Sequence, residues 1–280
     1  MVLEVIEWLQ VGPGKRYIDA TAGGGGHTEE IVRRRGEVLA IDQDSDAVGE
    51  LRRRFVGENG VTICQGNFGD IVGIARNKGF IDVDGILFDL GVSSYQLDTP
   101  NRGFSYRYLD APLDMRMNDS TRERASDIVN SRSENELYEI IARFGEEELA
   151  LPIAHAIVGA RTIKKITTVG DIVFVVRSVA KNKTMASNTL GRVFQALRIA
   201  VNDEIDALHL ALEGTKTLLR PGGRLAVISF HSLEDRKVKR FMATDRWNRI
   251  TKKFLVPSGE EIVRNSRSKS AKLRVAEKYE

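Results

Sequence analysis

The chain has 280 residues, 42% of them hydrophobic and 29% charged, with a formal net charge of +3. It is long enough to bury a sizeable core, as one large α/β domain or as a core domain with a smaller companion. No run approaches the roughly 18 apolar residues that span a bilayer, the start Met1-Val2-Leu3-Glu4 lacks a signal-peptide profile, and a lone Cys64 excludes an internal disulfide, so a cytoplasmic location away from membranes is expected.

Through the first hundred residues short β-like runs alternate with helix-like ones, the pattern of a parallel sheet covered by helices. Strands are predicted at 17–19, 37–42, 61–64 and 85–89, and three of them end in an acid: Asp19, Asp42 and Asp89. Ligands of open α/β sheets bind beyond the carboxyl ends of the strands, so these acids are expected to converge on one crevice. Cys64, in an apolar run, reads as a buried structural thiol.

Between the first strand and a helix-like run at 28–34 stands Ala20-Thr21-Ala22-Gly23-Gly24-Gly25-Gly26-His27. Consecutive glycines let the backbone come close to a ligand and take positive φ. The dinucleotide pattern G-x-G-x-x-G is broken, because Thr28 stands where the third glycine belongs. Asp19 precedes the glycines, and a carboxylate there suits a ligand with an ammonium group better than a pyrophosphate, which wants N–H donors. S-adenosylmethionine is such a ligand, and Asp19, Gly23, Gly25 and Gly26 are candidate contacts. Asp42, nineteen residues after Gly23, is placed to accept hydrogen bonds from ribose hydroxyls, a placement equally compatible with NAD. After the third strand, Asn67 offers an amide for an adenine edge and Phe68 a ring for its face; a plain turn and a core aromatic are the alternative.

The fourth strand runs into the polar loop Asp89-Leu90-Gly91-Val92-Ser93-Ser94-Tyr95-Gln96. An exocyclic amine is a poor nucleophile, helped by an acceptor for its N–H and by in-line approach. Asp89 is the candidate acceptor, with Ser93 and Ser94 as auxiliaries.

Beyond residue 102 the β rhythm stops. A capping box, Ser133 with Glu136, predicts a helix closed by Gly145. Further helices are predicted at 146–161 and 168–180, although the β-branched run 172–176 leaves the second open. An amphipathic segment, 190–219, then leads through Arg220-Pro221-Gly222-Gly223 into a strand at 224–230. The expected organisation is a nucleotide-binding sheet, 1–103 and 199–280, interrupted by a helical insertion, 104–198. Charge is uneven: from residue 231 onward there are 14 Lys and Arg against 7 Asp and Glu, and before it 28 against 32. The basic end reads as a solvated surface or as a phosphate-contacting one, with Trp247, Phe254 and Tyr279 available to stack on bases. His27, His155, His209 and His231 show no ligand spacing, so no metal is expected.

Eight blocks now stand in order: 19–28 (Asp-Ala-Thr-Ala-Gly-Gly-Gly-Gly-His-Thr), 89–98 (Asp-Leu-Gly-Val-Ser-Ser-Tyr-Gln-Leu-Asp), 102–105 (Arg-Gly-Phe-Ser), 112–117 (Pro-Leu-Asp-Met-Arg-Met), 194–199 (Phe-Gln-Ala-Leu-Arg-Ile), 201–202 (Val-Asn), 221–225 (Pro-Gly-Gly-Arg-Leu) and 229–236 (Ser-Phe-His-Ser-Leu-Glu-Asp-Arg). Together they closely resemble the bacterial RsmH (MraW) family. The resemblance implies an α/β fold, a Rossmann-like class I methyltransferase sheet, seven-stranded and mostly parallel, with a helical insertion domain for substrate recognition. It implies an S-adenosyl-L-methionine-dependent methyltransferase acting on the N4 amine of a cytidine in the decoding region of small-subunit (16S) ribosomal RNA. The partner would be that RNA, naked or in an assembled 30S subunit; monomer and homodimer stay open. Carried over by position, the family's cofactor contacts fall on Gly25, Gly26, His27, Asp42, Phe68, Asp89 and Gln96. Asp114, Arg116 and His231 are expected to line the target-base pocket, with Phe104 or Tyr106 stacking on the flipped cytosine; the alternative is that they brace the insertion. An NAD-linked oxidoreductase and a non-catalytic RNA-binding scaffold are the competing classes.

Overall fold

The computed structural model of the chain describes every residue except Arg122, Lys181 and Glu280. It divides into two compact units: Met1–Gly91 together with Ile205–Glu280, and Val92–Glu204. The second unit contains the insertion expected at 104–198 but starts and ends further out, taking in the helix Ser94–Asp98 at its start and the whole helix Lys183–Asn202 at its end. Among the described residues no helix is long and apolar enough to cross a membrane.

A seven-stranded sheet organises the first unit: β1 (Arg16–Asp19), β2 (Glu37–Asp42), β3 (Val61–Gln65), β4 (Val83–Asp89), β5 (Leu219–Ser229), β6 (Trp247–Arg249) and β7 (Lys272–Lys278). Their order is β3-β2-β1-β4-β5-β7-β6; β1 to β5 are mutually parallel, and β7 runs antiparallel to both its neighbours. Side chains alternate across a strand, so adjacent residues feed separate cores. Ile18, Leu39, Ile86, Phe88 and Val227 face one, and Tyr17, Val38, Leu87, Ala226 and Ile228 the other. Burial on both faces is why β2 and β4 read as nearly continuous apolar runs.

Four expectations need correction in this unit. Cys64 is half-exposed, because β3 is an edge strand. The Pro-Gly-Gly turn is a bulge within β5: Val83 pairs with Leu219 but Gly85 already pairs with Arg224, and Gly222 takes φ 73° to absorb the excess. The segment 190–219 is not one helix, since Asp203 adopts φ 49° between helices Lys183–Asn202 and Glu204–Leu218. Trp247 is core: only 4% exposed, it packs 5.3 Å from Phe241 and so offers no face to a base.

The second unit is helical, with Ala125–Ser131, Glu134–Gly145, Ala150–Ile163, Val169–Val179 and Lys183–Asn202 around a core that includes Leu137, Ile141, Ile153, Ile172, Val176 and Leu197. Capping boxes at Ser133/Glu136 and Thr168/Asp171 start two of these helices. The β-branched run is helical because the cap fixes its start and Ile172, Val173, Val175 and Val176 are buried, which outweighs a small propensity penalty.

Candidate functional site

Strand register brings the three acids together. Asp19 pairs with Ala40 on β2 and with Leu87 on β4, and Asp42 and Asp89 each lie two residues further along those strands. All three therefore share one pleat parity at the carboxyl edge of adjacent strands. Crowded carboxyls out of water disfavour ionisation. Burial, offset in part by a hydrogen bond from Thr28, pushes the Asp19 carboxyl up to about 6; burial together with the charge of Asp19 pushes Asp89 up to about 7; burial also raises Asp42. A cationic ligand at this edge would relieve that crowding.

Asp19, expected from its position to contact the ligand, has both carboxylate oxygens engaged within the protein. It is fully buried, Thr28 Oγ1 donates to its Oδ2 (2.8 Å), and the Thr21 N–H donates to Oδ1 (3.4 Å). Asp42 fastens the glycine turn: its Oδ2 accepts from the Gly23 N–H (2.8 Å) and its Oδ1 from the Asp44 N–H (2.9 Å). Each oxygen has a second lone pair, so ribose hydroxyls fit as further donors. Gly25 takes φ 84°, and a Cβ on it would stand 2.8 Å from Phe55 Cε2 and 3.0 Å from Leu51 Cδ2. A Cβ on Gly24 or Gly26 would meet no protein atom, which leaves the backbone there open to the approach of a ligand. The amide of Asn67 is engaged locally, with Oδ1 accepting from the Gly69 N–H and Nδ2 donating to Gln43 Oε1, so the turn reading describes it better than adenine readout. Phe68 sets its ring edge-on to Phe88 at 5.9 Å.

Asp89 ends β4, and its N–H donates to Thr21 Oγ1 at 2.6 Å. A third of its side chain faces solvent, yet Oδ1 is enclosed without a hydrogen-bond partner. His27 is the second residue of the helix Gly26–Arg33, buried, with Nδ1 3.9 Å from Asp89 Oδ2 and Nε2 enclosed and unpartnered. Burial pulls its pKa down to about 4, so the imidazole is neutral at pH 7. Buried polar atoms without a partner are uncommon in native proteins, and two of the five among the described residues belong to these neighbouring side chains, which leaves hydrogen-bonding capacity for a polar ligand. His231 caps the helix Ser232–Phe241, its Nδ1 accepting from the Glu234 N–H (3.4 Å) and its Nε2 standing 3.1 Å from Glu234 Oε1. Buried Glu234 accepts in turn from the Phe230 N–H (2.8 Å), and its charge adds to the rise at Asp89. The sequence does not single out Thr21, Thr28 or Glu234: Thr21 follows β1, and Thr28 and Glu234 stand in the polar first turns of their helices, where neighbouring residues are equally polar.

In the second unit Ser93 and Gln96 serve one another. Ser93 Oγ accepts from the Gln96 N–H (3.2 Å) and Gln96 Oε1 accepts from the Ser93 N–H (3.0 Å), a capping box on the helix that Ser94 begins; Ser94 is exposed. Asp114 accepts a forked pair of bonds from Arg116 (2.7 and 2.9 Å) with Arg124 3.3 Å away. Burial alone would raise Asp114, but these guanidiniums hold it below the usual carboxylate range. Arg116 also donates to the carbonyls of Asp119 and Thr121, so the pair braces its own loop. Phe104 is core and presents no free face for stacking, whereas Tyr106 is exposed, edge-on to Phe194 at 5.6 Å.

Comparison with known proteins identifies the family and the fold. A 48% identical relative, "Ribosomal RNA small subunit methyltransferase H" of Deinococcus deserti, aligns over 98% of this chain and 91% of its own. "Ribosomal RNA small subunit methyltransferase H 2" of Agathobacter rectalis is 44% identical over 98% of this chain and 96% of its own. Among solved structures, that of PH0851 matches with a TM-score of 0.50 at 14% identity, over 100% of this chain and 45% of that one, a likeness of fold alone. The fold is the Rossmann-like class I methyltransferase sheet, and the description "MraW methylase family" fits residues 1–279. By these matches the chain belongs to the MraW methylase family.

Proposed function

We propose that this chain transfers a methyl group from S-adenosyl-L-methionine to the N4 amine of a cytidine in the decoding region of 16S ribosomal RNA, in the cytoplasm. The observation that carries the reading is the shared edge of Asp19, Asp42 and Asp89 under the glycine turn, with an enclosed, unpartnered oxygen on Asp89. Family membership and the names of the relatives support the substrate.

When bound, S-adenosylmethionine supplies a methyl group already activated by a positive sulfur, so the protein's task is placement and proton handling. The turn from Gly23 to Gly26 and the orphaned Nε2 of His27 hold the cofactor, and Asp42 orients its ribose. Asp19 acts at a distance, holding Thr28 and adding negative charge. Asp89 accepts a hydrogen bond from the target N4–H and takes up the proton the amine loses, a role open to a carboxyl whose pKa is about 7. We assign Val92–Glu204 to substrate recognition, Tyr106 as its exposed aromatic and the Ser93–Gln96 box as the support of the loop after Asp89.

The experiment is mass mapping of methylated cytidines in ribosomal RNA from cells with and without this protein, alongside methyl transfer by the pure chain to naked 16S RNA and to 30S subunits. Unchanged N4 methylation in its absence would overturn the substrate. Binding of NADH in place of S-adenosylmethionine would overturn the cofactor.

A further inference from the structure

At the far edge of the sheet an aromatic ring sits among cations, level with Asp89. One row of register crosses the sheet: Asp89 on β4 pairs with Ile228 on β5, Ile228 with Leu273 on β7, and Leu273 with Leu255 in the stretch after β6. Leu255 thus stands at the carboxyl edge, three strand spacings or roughly 14 Å from Asp89. The chain keeps beside β7 all the way there, for the Thr251 N–H donates to the Val275 carbonyl (3.1 Å) and the Leu255 N–H to the Leu273 carbonyl (2.9 Å).

Leu255 packs toward the core, and the ring of Phe254 before it does not. Phe254 is 38% exposed, with Lys272 Nζ 5.0 Å and the Arg274 guanidinium 5.5 Å from its centre. Lys252 and Lys253 are exposed and have no acidic partner among the described residues. Arg274 differs, being buried in a forked pair with Asp235. Other exposed cations, Arg52 and Lys165 among them, also stand without an acid among the described residues; what sets this strip apart is the exposed ring of Phe254 between Lys253 and Lys272.

We infer that Lys252, Lys253, Phe254 and Lys272 form a subsite for the single strand of ribosomal RNA that flanks the target cytidine, Phe254 stacking on a base and the lysines meeting phosphates. The inference rests on the reading of ribosomal RNA as substrate. Unneutralised cations suit phosphates, and a half-open ring among them suits a base, which an acidic peptide would not supply. Phe254 stands one residue before Leu255 and, with Lys272 and Arg274, on the face of the sheet opposite Asp89, so the RNA strand would round the carboxyl edge over a span of roughly 14 Å, which a short stretch of extended RNA covers.

The test compares the full-length parent with Phe254→Ala, Phe254→Tyr and the double variant Lys252→Ala/Lys253→Ala. Binding to transcribed, unmodified 16S RNA is measured across a salt series, with methyl-transfer kinetics and S-adenosylmethionine affinity on the same samples. Phe254→Ala should raise the KM for RNA about tenfold at unchanged kcat, and Phe254→Tyr should restore it. The double variant should lower the slope of log affinity against log salt by about 0.7 per lysine. Cofactor affinity should match the parent in all three, which separates loss of the subsite from loss of the fold. Parent-like RNA binding and salt slope in Phe254→Ala and the double variant would overturn the subsite alone. Normal affinity for naked RNA with weakened affinity for 30S subunits would give the strip to a ribosomal protein and overturn it too. A parent that binds no 16S RNA would overturn the substrate reading, and the subsite with it.

Discussion

Nδ1 of His27 lies 3.9 Å from Oδ2 of Asp89, and burial drives the two groups to opposite sides of their ordinary titrations. With the imidazole down to about 4 and the carboxyl up to about 7, the pair at neutral pH is a neutral ring beside a half-ionised acid. That arrangement keeps a cation from forming inside the protein where the ligand's own positive charge belongs.

Asp89→Asn keeps the shape and removes the proton acceptor. Single-turnover methyl transfer to 16S RNA should fall about 10²- to 10⁴-fold. In the parent, kcat/KM for S-adenosylmethionine, which reports the ligand-free enzyme, should rise as pH passes through about 7, since the ionised carboxyl is the working form; in the variant that rise should be missing. A parent profile flat from pH 6 to 8 would count against Asp89 as the acceptor.

The ligand-free protein should carry the opposite pH dependence in its stability. The folded pKa of Asp89 is raised, so its contribution is present below the unfolded value of 3.8 and is lost as pH climbs through about 7; Asp19 behaves alike, through about 6. His27, lowered to about 4, works the other way, its penalty appearing as pH falls below 6.5. Asp89→Asn should therefore gain thermal stability relative to the parent between pH 5 and 8, and His27→Asn should lose its relative advantage over the same span. Melting curves at four pH values decide both signs.

Gly25→Ala asks for a Cβ at φ 84°, 2.8 Å from the Phe55 ring. Strain and overpacking together should cost about 2 to 4 kcal/mol in a urea melt and weaken S-adenosylmethionine binding. Gly24→Ala meets no protein atom, so it should leave the melt nearly unchanged while still weakening the cofactor.

Arg274 and Asp235, joined at 2.7 and 3.1 Å, tie β7 to the helix Ser232–Phe241. Arg274→Met alone leaves a buried carboxylate without its partner and should cost about 3 to 5 kcal/mol. Adding Asp235→Leu should recover most of that loss, measured as a double-mutant cycle in urea.

The order of strands and helices was legible in much of the chain because two local signals agreed there. Apolar runs ending in Asp19, Asp42 and Asp89 marked β1, β2 and β4, and the Ser133/Glu136 capping box marked its helix. β7 escaped notice, although Lys272-Leu273-Arg274-Val275 alternates polar and apolar residues as a strand should, because the surplus of basic residues made that region read as a tail. The break at Asp203 and the bulge at Gly222 escaped for another reason: both are departures in φ, and composition carries little trace of them.

The sequence by itself determined the α/β class, the glycine turn and the identity of the acids, since local pattern and residue chemistry are properties of the chain. The partners of each acid came from the folded arrangement. Pairing register set Asp42 and Asp89 two residues past the partners of Asp19, burial gave Asp19 to Thr28 and Asp42 to Gly23, and the same burial left oxygen Oδ1 of Asp89 unpartnered. Desolvation and hydrogen-bond partnership depend on which atoms come together across the fold, and those atoms lie far apart along the chain.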